Sequence, residues 1–168
     1  MKKIIMSLFT IGTLVGLSNN INAQNTATES GDASATIITP ITITNTNDLS
    51  FGAIIDGTGT VTMSTAGVRS TSYQAFAGTQ AGTVTAASFD ITGQGAYTYA
   101  ITLPTDDVTL TESGSSTMIV NSFVSNPSGT GTLTAGAGSV LVGATLNVVQ
   151  GQETGVYDGS FDVTVAYN

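Results

Sequence analysis

Apolar and polar residues alternate along most of this chain with a period of two. In "YTYAITL" (97–103) every odd position, Tyr97, Tyr99, Ile101 and Leu103, is large and apolar. Across 140–149 one face carries Val140, Val142, Ala144, Leu146 and Val148, and shorter runs pair Val61 with Met63 and Phe89 with Ile91. A period of two with polar partners predicts strands with one wet and one dry face. Turn signals separate the runs: "DGTG" (56–59), "TGQG" (92–95), "ESGSS" (112–116), "NPSGTG" (126–131), "AGAG" (135–138) and "GQETG" (151–155). Gly supplies positive-φ positions there, and Asn or Asp supplies local side-chain bonds. No stretch has helical periodicity, and the turns are too irregularly spaced for a β-solenoid repeat. Many short strands between such turns predict an all-β, antiparallel β-sandwich.

The two ends of the pattern carry the most specific expectations. In "SFDVTVAYN" (160–168), Phe161, Val163, Val165 and Tyr167 face inward while Asp162, Thr164 and Ala166 face outward. Burying four such side chains stabilises by ~1.5–3 kcal/mol each. Their sum, about 6–12 kcal/mol, is comparable to the net stability of an ordinary domain, about 5–15. This run is therefore expected inside the sheet, or paired by another chain. At the other end Ala33, Ala35 and Ile37 share a face, and "TPITIT" (39–44) follows. Pro40 has no ladder donor, so a first strand split into 33–38 and 41–44 is expected. Before it, "QNTATESGD" (24–32) reads as a flexible polar leader.

Residues 1–23 have the layout of a secretory signal peptide. Lys2 and Lys3 precede an apolar run over 4–17, and a small residue, Ala23, marks the cleavage point. The apolar run is shorter than the ~20 residues of a membrane span, and no later segment is apolar enough to insert. The expected organisation is signal 1–23, leader 24–32 and one sandwich domain over 33–168.

Charge and chemistry narrow the function. The full chain has a net charge of −8 from 3 basic and 11 acidic residues. Without Lys2 and Lys3, Arg69 alone faces eleven acids, a net of −10. Nucleic acid and anionic membranes demand a basic footprint, so neither is an expected partner. There is no Cys, so no disulfide closes the fold, and there is no His. General acid–base catalysis is left with carboxylates and Tyr. The one adjacent acid pair, Asp106-Asp107, follows Pro104 in a turn where Asp bonds local amides. The loops also lack the alternating-acid ladder of a calcium site. No catalytic, cofactor or metal residues are assigned, and a non-enzymatic protein is expected.

Four stretches carry a resemblance: "TPITITNTNDLSFGAI" (39–54), "SFDITGQGAYTYAITLP" (88–104), "VGATLNV" (142–148) and "GVYDGSFDVTVAYN" (155–168). In order, and over almost the whole chain after the signal, they are similar to the family called domain of unknown function 4402. Its members look like exported bacterial surface proteins with an immunoglobulin-like, pilin-like sandwich, related to spore-coat-U and chaperone–usher-type subunits. The penultimate aromatic, Tyr167, also resembles chaperone–usher pilins. The resemblance implies a surface-filament or coat subunit of a Gram-negative bacterium, periplasmic in transit. Its implied partners are copies of itself or related subunits, a periplasmic chaperone and an outer-membrane usher. Assembly would proceed by strand addition, in which backbone bonds give affinity and alternate side chains give register. Phe161, Val163, Val165 and Tyr167 are the expected C-terminal assembly strand, and Ala33, Ala35 and Ile37 the N-terminal one. One departure stands out: the leader 24–32 offers only Ala27 as an apolar donor residue, so the donor is 33–37 or strand donation is absent. The rival expectation is a monomeric secreted module for glycan binding or adhesion, with Tyr73 and Phe76 in "SYQAFAG" exposed for contact.

Overall fold

The structure is a computed structural model that describes residues 26–76, 82–114 and 116–168. The expected signal peptide lies outside the described residues. The chain divides into two units, Met1–Thr36 and Ile37–Asn168. The described part of the first, from residue 26, contains no strand and is exposed throughout.

The second unit is all β and antiparallel, as the alternation predicts. Its strands are β1 (Thr42–Asn47), β2 (Gly59–Met63), β3 (Arg69–Thr71), β4 (Ala87–Thr92), β5 (Thr98–Thr102), β6 (Val108–Glu112), β7 (Thr117–Asn126), β8 (Thr130–Thr132), β9 (Ala137–Val148), β10 (Tyr157–Asp158) and β11 (Thr164–Tyr167). An eight-stranded sheet runs β1-β4-β9-β7-β6-β10, with β2 also on β9 and β3 on β2. A three-stranded sheet runs β11-β5-β8.

The spine is β9, and its five-residue apolar face is buried as expected. β4 pairs with residues 137–142 and β2 with 144–148, while β7 occupies the opposite side. β4 and β2 thus lie end to end along one side of β9. Gly143 sits at their junction, where a Cβ would strike the Met63 carbonyl and the backbone at Ser64 and Thr65. Only a residue without a side chain admits so close an approach.

Two core clusters follow from this layout. One fills the space between the sheets, with Phe89, Ile91, Tyr99, Ile101, Leu133, Val140 and Val142. The other lies over β2, β9 and β7, with Val61, Met63, Val120, Leu146 and Val148, beneath Phe51 and Ala75 from irregular segments. Phe123 touches both clusters. It follows Ser122, whose φ of 53° lies in a bulge of β7 between Asn121 and Val124. A bulge re-aims side chains at the cost of local ladder bonds, and here a half-buried Phe is the result.

Two expectations need correction. Residues 33–38 form no strand, and β1 begins only at Thr42. Ala33 and Ala35 carry too little apolar surface to offset the entropy of ordering them, and Pro40 lacks a donor. Ile37 is 97% exposed. In "YTYAITL" the outlier is Tyr97, at 46% exposure, because β5 starts one residue later.

Candidate assembly site

A long trough opens over the second core cluster, where the smaller sheet does not reach. Its floor is the apolar face of β6, β7 and β9: Val108, Leu110, Met118, Val120, Leu146 and Val148. One wall is the run 48–56 that follows β1, and the other is the run 152–161 around β10. The volume of the trough is about 1000 Å³. Apart from the two residues of β10 and an isolated bridge at Ser50, the walls lie outside any ladder. No strand of the smaller sheet contributes to the lining of the trough.

Each wall is held by a specific device. Arg69 donates from Nη1 to the carbonyl of Phe51 and, at 3.2 Å, to that of Ala53. Its guanidinium carbon lies 3.5 Å from the centre of the Phe76 ring, a cation–π geometry. Burial lowers the Arg69 pKa. The Tyr73 hydroxyl donates to the Ile55 carbonyl at 3.0 Å. Burial and the nearby Asp56 charge hold that phenol above its usual range. Tyr73 and Phe76 are thus half-buried against the core, so they form no exposed aromatic platform for a glycan.

On the facing wall, Gln152 donates from Nε2 to the Thr117 carbonyl at 2.9 Å and to the Tyr157 hydroxyl at 3.0 Å. Tyr157 in turn donates to the Glu153 carbonyl at 2.9 Å. The Asp56 carboxylate joins the walls at one end, accepting the amides of Gly151 at 3.0 Å and Gln152 at 3.1 Å. Those two amides, Gly151 first, hold the Asp56 carboxyl below its ordinary value.

The C-terminal residues expected for assembly keep their alternation but are half-buried rather than fully buried. Phe161 borders the trough, 5.0 Å from Phe123 and 6.4 Å from Phe89, centre to centre. Val163, Val165 and Tyr167 pack on the first cluster. β11 itself starts at Thr164 and pairs with β5 through Thr164↔Thr102 to Tyr167↔Tyr99. It is a terminal member of its sheet. The Tyr167 hydroxyl donates to the Thr39 carbonyl at 2.8 Å and accepts the Gln94 amide at 2.6 Å. The chain just ahead of β1 is thereby pinned at Thr39. Ala33, Ala35 and Ile37 do not join this arrangement: all are exposed and outside any strand.

A family model described as a domain of unknown function (DUF4402) matches residues 41–167. The chain belongs to the DUF4402 family. The match begins one residue before β1 and ends with β11, so the DUF4402 domain includes every strand among the described residues and both walls of the trough. No curated protein and no solved structure matches the chain. Among the described residues, no group of three or more potential metal ligands occurs. Asp106 and Asp107 occupy an exposed turn, where Asp107 accepts from Asn121 Nδ2 at 3.0 Å.

Asp56 and Arg69, which shape the trough, carry no signal in the linear sequence. "DGTG" reads as a turn, and nothing in it marks a partner near residue 151. After Lys3, Arg69 is the one basic residue beside eleven acids, the one compositional hint that it holds something in place.

Proposed function

We propose that this DUF4402 protein is a non-enzymatic structural subunit of a bacterial surface filament or coat. It reaches the cell surface by export and is assembled by β-strand complementation. The observation that supports this reading is the trough. Its apolar floor suits the alternate apolar side chains of an added extended segment. The segment 33–37, apolar at alternate positions and outside any strand, is the candidate donor to a neighbouring subunit. Chaperone and usher partners belong to the same proposal.

Its test is assembly itself. The protein without residues 1–23 should form multimers by size exclusion and short fibres or patches by negative stain. Deleting residues 24–37 should abolish them while leaving the melting temperature unchanged. Multimers that survive that deletion would sink the assignment of the donor.

One observation favours a second reading, a monomeric secreted binding module. β11 already has a partner in β5 of its own chain, as a self-contained sandwich requires. A protein that stays monomeric at high concentration, folds without a helper and binds sugar would select that reading.

A further inference from the structure

We infer that Tyr167 and Gln94 are positioning residues for the donor segment: together they clamp Thr39 and so fix the point and direction at which the chain upstream leaves the sandwich. The inference rests on the strand-complementation reading and names what orients the donor within it.

The clamp is a closed ring of hydrogen bonds. The Thr39 amide donates to Gln94 Oε1 at 3.1 Å, and the Gln94 amide donates to the Tyr167 hydroxyl at 2.6 Å. That hydroxyl donates to the Thr39 carbonyl at 2.8 Å. Both main-chain groups of Thr39 are thus held by side chains, at a position ahead of β1 that lies in no strand. Pro40 adds stiffness from the other side, because it has no N–H and confines the residue before it to extended backbone. With its torsions restricted and both polar groups engaged, Thr39 is a fixed departure point and not a swivel.

The surroundings are shaped to this contact. A Cβ on Gly93 would strike the Tyr167 hydroxyl and come within 2.9 Å of Leu133 Cδ1, so a glycine is needed for the turn after β4 to close on that hydroxyl. Tyr97 meets the Tyr167 ring edge-on, 5.6 Å between centres, and the pairing of Tyr167 with Tyr99 fixes its backbone. The turn at 92–95 and the penultimate side chain of the protein therefore converge on one residue of the entering chain. Residues 33–37, just upstream, are exposed and in no strand, as a segment that reaches a neighbour must be. A segment oriented at its root samples fewer directions than one that swivels, and this preorganisation favours its capture by a second copy. Because side chains make the clamp, one hydroxyl can be removed without opening a sheet.

Spin labelling and assembly test this together. The protein has no Cys, so a nitroxide on Thr36→Cys, an exposed position between Ala35 and Ile37, reports on the donor segment alone. In dilute, monomeric protein its spectrum should sharpen in Tyr167→Phe, which keeps the ring, and in Gln94→Ala. A label on Thr26→Cys should be the same in all three backgrounds. In unlabelled protein without residues 1–23, the concentration at which multimers appear by size exclusion should rise roughly three- to tenfold in both variants, the worth of one such hydrogen bond. The hydrogen-exchange protection of β9 should be unchanged, which excludes a general loosening of the fold. A label at 36 that is no more mobile in either variant, or multimers at the wild-type concentration in both, would overturn the inference and leave strand complementation standing. A wild type that forms no multimers at any concentration would remove strand complementation and the positioning role with it, while the spectra alone would still show whether Thr39 is clamped.

Discussion

Asp56 and Gly151, 95 residues apart, are joined by both carboxylate oxygens, each 3.0 Å from the same amide nitrogen. Together with the Gln152 amide, this closes one end of the trough with a single side chain.

That clasp has a signed pH dependence. The folded pKa of Asp56 lies below its ordinary value of 3.8. A carboxylate depressed on folding stabilises above its unfolded pKa and loses that contribution as pH falls through the folded value. Asp56→Ala should therefore melt below wild type at neutral pH, and the gap should narrow as pH drops beneath 3.8. Glu112, held low by the Ser113 hydroxyl and the Gly114 amide, titrates in both proteins and cancels in the difference. A gap that is constant into strong acid would remove the clasp.

Phe161 packs tilted on Phe123 and edge-on to Phe89. Phe161→Ala should cost about 2–3 kcal/mol, less than a fully buried Phe because the ring is half-exposed. Urea titration should show a lower midpoint at an unchanged slope. A midpoint within error of wild type would mean that the ring contributes no packing.

Two glycines of one fold should respond differently. Gly143→Ala drives a methyl group into the Met63 carbonyl and should cost about 2–3 kcal/mol or more. Gly129, at φ 69° with nothing within 4 Å, should cost only about 1–2 kcal/mol as Ala, the penalty of a left-handed residue. Thermal melts of the pair decide, and equal losses would contradict the close approach at β9.

Arg69→Lys keeps the charge but not the planar fork that reaches two carbonyls while stacking on Phe76. The expected result is faster amide hydrogen exchange over 51–55, with the exchange of β9 unchanged. Unaltered protection of the wall would mean that Arg69 does not hold it.

The sheet was legible where both faces of a strand are chemically sorted. Val61 and Met63, Phe89 and Ile91, and the five-residue face of β9 are buried as the alternation requires. At the ends the pattern overreached. Ala33 and Ala35 alternate correctly, yet a methyl group buries too little to fix a strand, and β11 begins three residues after Phe161. The trough was not legible at all, because its walls come from runs about a hundred residues apart. Neither wall is regular enough for a period to reveal that they face each other.

The position of β9 sets a timetable for folding. β1 and β4, and likewise β2 and β3, pair early in the chain, but a lone two-stranded ribbon is marginally stable in water. Among the described strands the ladder joins both ribbons through β9, whose last residue is Val148. In the folded chain Val61, Met63, Phe89 and Ile91 are buried beside the face of β9. The ladder that joins the two ribbons cannot form until residues 137–148 are present.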